Sequence, residues 1–147
     1  MILSEYERRV ARCFCAATFP AAPAGALPAE AGAGTGAAAR TVLAALPDGG
    51  EVGMDAMLEQ LLERAPVRMR LGTRLALWAF ALAPLLLLGR LALATALAPA
   101  EREVYVGRWL AHRVYFIRSI AFFLKAFAAM AYFRDRRVQG ALGLPGA

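Results

Sequence analysis

LALWAFALAPLLLLG, from Leu75 to Gly89, is the stretch that decides the fold, and it runs without a charge between Arg74 and Arg90. A second run, SIAFFLKAFAAMAYF from Ser119 to Phe133, has the same character with Lys125 inside it. Neither shows the strict apolar–polar alternation of a half-buried strand. Crossing about 30 Å of hydrocarbon takes roughly 20 apolar residues. Both runs fall short of that, and a lysine at mid-span costs about 2.5–3.5 kcal/mol on insertion scales. Runs of this length belong to buried core helices or to segments lying at an interface. The expectation is two hydrophobic core helices packed as an antiparallel pair. The alternatives are insertion across the bilayer, because arginines at helix ends can snorkel, and a re-entrant pair that dips into it. A helix apolar all round has to be covered on every side. One small domain has few layers with which to do so, and a partner protein or a lipid-facing side is the natural complement.

Outward from this centre, the chain punctuates itself. Val67 to Ala98 is the longest apolar-periodic segment, with Pro84 predicted to kink it. Upstream, Met54, Met57, Leu58, Leu61 and Leu62 recur at helical spacing and predict a helix over Asp55–Ala65. Pro66 then interrupts this helix or opens the next. Pro47-Asp48-Gly49-Gly50 is a turn signal. Ser4 with Glu7 has capping-box spacing and opens a helix to about Thr18, with Val10, Cys13, Phe14 and Ala17 inward. Phe19-Pro20 ends it. Pro20 to Gly36 is Pro/Gly/Ala-rich and reads as an ordered wrap or a linker. A short helix is expected over Ala37–Ala45, with Val42, Leu43 and Leu46 inward.

Downstream, Pro99, Glu101 and Glu103 suit a helix start. That helix is predicted to run to about Arg118, with Val106, Leu110, Val114 and Ile117 on one face. Asp135 is placed to cap a last short helix over Arg136–Leu142, ended by Gly143 and Pro145. The fold class is therefore all-α: an orthogonal or antiparallel bundle of about five to six helices with a Pro/Gly-rich N-terminal loop. The chain reads as one domain, 1–147, with residues 1–46 as the N-terminal part and 47–147 as the main bundle.

The 147 residues are 60% hydrophobic and 19% charged, an apolar excess over an ordinary soluble domain. The net charge is +6. No lysine-rich tail or aromatic-interleaved RNA motif accompanies it, so nucleic acid is not an expected partner. Cys13 and Cys15 lie two apart on a helix, cannot close an ordinary disulfide, and read as small buried hydrophobes. With His112 as the single histidine, no metal set forms. The carboxylates Glu5/Glu7, Asp48/Glu51/Asp55, Glu59/Glu63 and Glu101/Glu103 read as helix starts and solvated faces. Gly32-Ala33-Gly34-Thr35-Gly36 lacks the strand and full spacing of a dinucleotide loop. No catalytic, cofactor-binding or metal-binding residue is assigned. The partner-interface candidates are Trp78, Phe80, Tyr105, Trp109, His112, Tyr115, Phe116, Phe123, Phe127 and Tyr132. No secretory or twin-arginine signal is visible at the start, so the expected location is cytoplasmic, or peripheral on the cytoplasmic face of the inner membrane.

The second half carries a pattern: Arg90-Leu91, Pro99-Ala100-Glu101-Arg102-Glu103, Tyr105, Arg108-Trp109, Arg118, Leu124-Lys125-Ala126, Ala131-Tyr132-Phe133, Asp135, Val138 and Ala141-Leu142-Gly143. It resembles the helical region that accompanies bacterial glucose–methanol–choline (GMC) type flavin oxidoreductases, similar to the small subunit of gluconate 2-dehydrogenase. The likeness spans roughly Leu71 to Gly143 and includes no catalytic residue. It implies an accessory subunit of an FAD-dependent alcohol oxidoreductase, with no cofactor in this chain and FAD on a separate partner polypeptide. Its role would be to steady that enzyme or to shape the entrance for a lipophilic substrate.

Overall fold

The computed structural model describes residues 2–21, 42, 45–87 and 92–144. Among these residues the protein is all-α, with six α-helices and one 3-10 turn and no strand. The Pro/Gly-rich segment beyond Ala21, the Gly32–Gly36 run and Gly89-Arg90-Leu91 lie outside the described residues. So does the helix expected over 37–45, apart from Val42 and Ala45.

The first helix, α1 (Glu5–Thr18), starts as its sequence dictates. Ser4 Oγ accepts the N–H of Glu7 at 3.2 Å, and the N–H of Ser4 donates to the Glu7 carboxylate at 2.7 Å. Two of the four donors that a helix start leaves open are thereby satisfied. Val10, Phe14 and Ala17 are buried as expected. Cys13 corrects the expectation: it is half-buried, and Ala11 and Cys15 take the inward positions. Residues two apart on a helix sit about 200° round the axis from each other, so one inward cysteine turns the other outward.

The turn after Pro47 closes onto the end of α1. The N–H of Gly49 donates to the Phe19 carbonyl at 2.8 Å, and a Cβ on Gly49 would stand 2.3 Å from the Cys15 carbonyl oxygen. Only glycine allows so close an approach. Asp48 braces the turn by accepting the N–H of Gly50 at 2.6 Å.

Helix α2 (Met54–Arg64) buries Met54, Leu58 and Leu62 and leaves Met57 and Leu61 half-buried. Pro66 closes this element and starts the next, its carbonyl accepting the N–H groups of Met69 and Arg70 at 2.9 and 3.2 Å. Helix α3 (Val67–Leu87) follows and contains Pro84. It stops short of the expected Ala98, and Ala94–Ala96 forms the 3-10 turn. The Arg70 guanidinium reaches back to the carbonyls of Ala65 and Glu63, at 2.9 and 2.8 Å, and so closes the C-terminal end of α2.

Proline has no N–H, so Pro84 leaves the Phe80 carbonyl, four residues back, without its usual helical donor. Tyr105, on α4 (Pro99–Leu110), supplies the missing proton: its hydroxyl donates to the Phe80 oxygen at 2.8 Å. Burial pushes the Tyr105 phenol well above its ordinary pKa, which keeps the proton in place.

The helix expected to continue to Arg118 ends at Leu110. Residues 111–114 turn the chain, with His112 Nδ1 accepting the N–H of Val114 at 3.1 Å, and α5 (Tyr115–Arg134) begins. A single rod through this region would carry Leu124 away from Trp109; the turn lets α4 and α5 pack on each other. Asp135 then caps α6 (Arg136–Ala141) by accepting the N–H of Arg137 at 2.8 Å. Gly143, at φ 66°, takes the left-handed position that ends a helix.

Helix α1 is the hub, touching α2, α3, α4 and α5. The centre is aromatic. Phe80 meets Phe14 edge-on at 5.0 Å and lies 5.3 and 5.5 Å from Tyr105 and Trp109. A second cluster locks the end of α1 to α5, where Phe19 stacks on Tyr132 at 4.3 Å and the Tyr132 hydroxyl donates to the Pro47 carbonyl at 3.1 Å. Helices α3 and α5 pack against each other, yet neither is covered all round.

Candidate interaction surface

On α3, one face is locked into the core by Ala76, Leu77, Phe80 and Ala81. The opposite face carries Val67, Leu71, Leu75, Trp78 and Leu82, which recur every three or four residues and so form one row along the helix. Leu71 and Leu75 are 56% and 68% exposed. Two arginines flank this row: Arg68 is exposed and makes no ion pair among the described residues, and Arg74 is matched. Arg74 donates through Nε to Glu7 Oε1 at 2.7 Å, and Trp78 Nε1 donates to the same oxygen at 3.2 Å.

Glu7 thus has two duties: its Oε2 closes the α1 cap, and its Oε1 clamps α3. The carboxylate is 1% exposed. Burial acts to raise its pKa, but the Ser4 N–H, the Arg74 guanidinium and the Ser4 hydroxyl outweigh burial and hold it below the ordinary 4.5. Tyr6 lies 5.1 Å from the Trp78 ring, which ties the base of the row to α1.

The turn between α4 and α5 exposes a second apolar group, Val114, Tyr115 and Phe116, continued on α5 by Phe122 and Phe123. Met130 and Phe133 are exposed further along the same helix. Between α2 and α5 lies a shallow groove of about 340 Å³ lined by Met57, Gln60, Leu61, Glu63, Arg64, Met130 and Arg134.

The ten residues singled out from the sequence divide in two. Phe80, Tyr105, Trp109, Phe127 and Tyr132 are buried in this chain's own core, where they hold α1, α3, α4 and α5 together. Trp78, Tyr115, Phe116 and Phe123 are exposed, and His112 is half-buried in the α4–α5 turn. The structure does not gather the exposed ones into one patch: Trp78 belongs to the α3 row, Tyr115 and Phe116 to the corner. The aliphatic members of the row, Leu71, Leu75 and Leu82, were not singled out. Their spacing was readable, but a helix without a polar face does not tell inside from outside.

Among the described residues the titratable groups form no reactive constellation. Cys15 is buried under the Gly49 turn, where burial and then the nearby Asp48 carboxylate push its thiol up to about 12. No group of three or more His, Cys, Asp or Glu that could hold a metal occurs among the described residues. Glu59 is occupied by Arg8 at 2.8 Å and by the N–H of Ile2 at 3.2 Å, ties that fasten the N-terminus to α2. Glu51 and Asp135 both pair with Arg137, at 3.1 and 2.9 Å. Comparison with protein-family models, with curated proteins and with solved structures gives no match.

Proposed function

We propose that this chain is a non-catalytic accessory subunit that binds and steadies an FAD-dependent oxidoreductase of the GMC type. The FAD belongs to the partner. The observation that carries this reading is the exposed row Leu71, Leu75, Trp78 and Leu82 on a helix whose other face is fixed in the core. A continuous apolar row on a small domain marks an interaction site. Of the two arginines beside it, Arg74 is already neutralised by Glu7, which leaves Arg68 at the N-terminal end as the charge a largely apolar protein surface would have to accommodate. The tyrosine, arginine–tryptophan and aspartate–valine–leucine–glycine pattern of residues 105–143 supports the choice of partner. Catalysis, and the entry of a lipophilic alcohol that this subunit would help shape, take place on the flavoprotein.

The test is co-expression of the tagged chain with a GMC-type flavoprotein sought among the neighbouring genes. The expected eluate is yellow, with both polypeptides present. Leu71→Ser with Leu75→Ser should weaken the complex by about a hundredfold or more, given roughly 1.5–3 kcal/mol for each buried leucine. A colourless eluate holding this chain alone counts against the reading.

A second reading is insertion into a bilayer, which α5 favours by length and composition: Tyr115–Arg134 has 20 residues, and an 18-residue window within it has a mean hydropathy of 1.5. Against it stand Ala121, Leu124 and Ala128, fully buried on the side of α5 that packs in the bundle, and Lys125 at its middle. Spanning would require stripping this face from the core.

A further inference from the structure

We propose that the α4–α5 corner, from Arg108 to Phe122, docks this protein on an anionic phospholipid surface. The proposal stands apart from the oxidoreductase partner, because the α3 row takes no part in it.

Two kinds of side chain alternate at this corner. Tyr115 and Phe116 are 74% and 71% exposed, more than any other large apolar residue described, and Val114 and Phe122 are bare beside them. Arg113 and Arg118 flank them and Arg108 lies in the last turn of α4; all three are exposed and without an ion pair among the described residues. The exposed Arg118 guanidinium lies over the Tyr115 ring at 5.7 Å. From Val104 to Arg134 the chain has no aspartate or glutamate. No carboxylate within this segment opposes its positive charge; elsewhere among the described residues Arg8, Arg74 and Arg137 are each matched by a carboxylate, while Arg64, Arg68 and Arg136 are not.

A bilayer interface is the surface that offers phosphate oxygens and hydrocarbon within a few ångströms of each other. Aromatic and aliphatic side chains enter the acyl boundary while arginines extend to the headgroups. A nucleic acid would match the arginines but leave Val114, Tyr115 and Phe116 in water. The backbone of the turn is also prepared for a drier setting: the Val114 N–H is held by His112 Nδ1 at 3.1 Å, and Ser119 Oγ donates to the Tyr115 carbonyl at 2.9 Å.

The full chain is to be sedimented with vesicles of phosphatidylcholine alone and of phosphatidylcholine with about one-third phosphatidylglycerol. Binding is expected to the anionic vesicles only, to weaken with added salt, and to be released by alkaline carbonate. Arg108→Gln with Arg113→Gln and Arg118→Gln should lower partitioning about a hundredfold, at roughly fivefold for each arginine. Tyr115→Ser with Phe116→Ser should lower it about tenfold or more. Helical circular dichroism should stay unchanged in both variants, and Tyr115→Ser alone replaces the pair if it does not. The proposal is overturned by failure to bind anionic vesicles, by equal binding to neutral ones, or by retention through carbonate, which would mean insertion. Binding to a duplex oligonucleotide that needs Tyr115 and Phe116, without vesicle binding, overturns it as well.

Discussion

Glu7 shows how much one side chain can hold. Its two oxygens serve different elements, one closing the start of α1 and the other joining α1 to α3 through Arg74 and Trp78. Because its carboxylate is stabilised in the fold below the ordinary 4.5 despite burial, ionised Glu7 contributes stability above that pH. The contribution disappears as the pH falls through the lower value of the folded state. Glu7→Gln should therefore cost about 1–2 kcal/mol at neutral pH, a figure reduced because Arg74 is partly in water. Urea unfolding of both proteins as a function of pH measures it. The gap should be widest near neutrality and narrow below 4.5; a gap that widens in acid would contradict the assignment. The capping role was legible from Ser4 and Glu7 alone. The clamp was not, because Arg74 lies far along the chain and only the packing of α3 on α1 brings it near.

At the level of the helices, Pro84 and Tyr105 make a matched pair. A proline within α3 leaves the Phe80 carbonyl open, and the Tyr105 hydroxyl of α4 fills the vacancy. Tyr105→Phe should cost about 1–2 kcal/mol, the price of a buried acceptor left unmet. In a Pro84→Ala background the new N–H can serve Phe80, and the same substitution should cost less than half as much. Equal costs in the two backgrounds would show that the hydroxyl and the proline are unconnected. The helices with clear punctuation were readable from sequence: Ser4 and Phe19-Pro20 bound α1, Pro66 separates α2 from α3, and Asp135 and Gly143 bound α6. The α4–α5 break was not, since Ala111-His112-Arg113-Val114 contains neither glycine nor proline. A histidine ring accepting a backbone N–H makes that turn, and the return of α5 onto α4 rewards it. Likewise, Phe80, Tyr105 and Trp109 were grouped with surface anchors because aromatic residues serve cores and interfaces equally well. Periodicity sorts them only when a polar face marks the outside, and α3 and α5 have none to speak of.

The whole molecule is short of interior. One 14-residue helix, α1, sits at the centre and the others gather round it. That arrangement buries one side of α3 and one side of α5 and leaves Leu71, Leu75, Leu82, Phe122 and Phe133 in water. The apolar excess evident in the composition is therefore physically located: a row on α3 beside which Arg74 is neutralised by Glu7, and a corner and face on α5 beside which Arg108, Arg113 and Arg118 are unpaired among the described residues. These two surfaces differ in what would satisfy them, an apolar protein face in one case and an anionic interface in the other. The most direct test of this account is the light-scattering mass of the chain purified alone in plain buffer. The account predicts concentration-dependent self-association, reduced by Leu71→Ser with Leu75→Ser at unchanged helical content. A wild-type chain that stays folded as a single 15.7 kDa species at every concentration would contradict it.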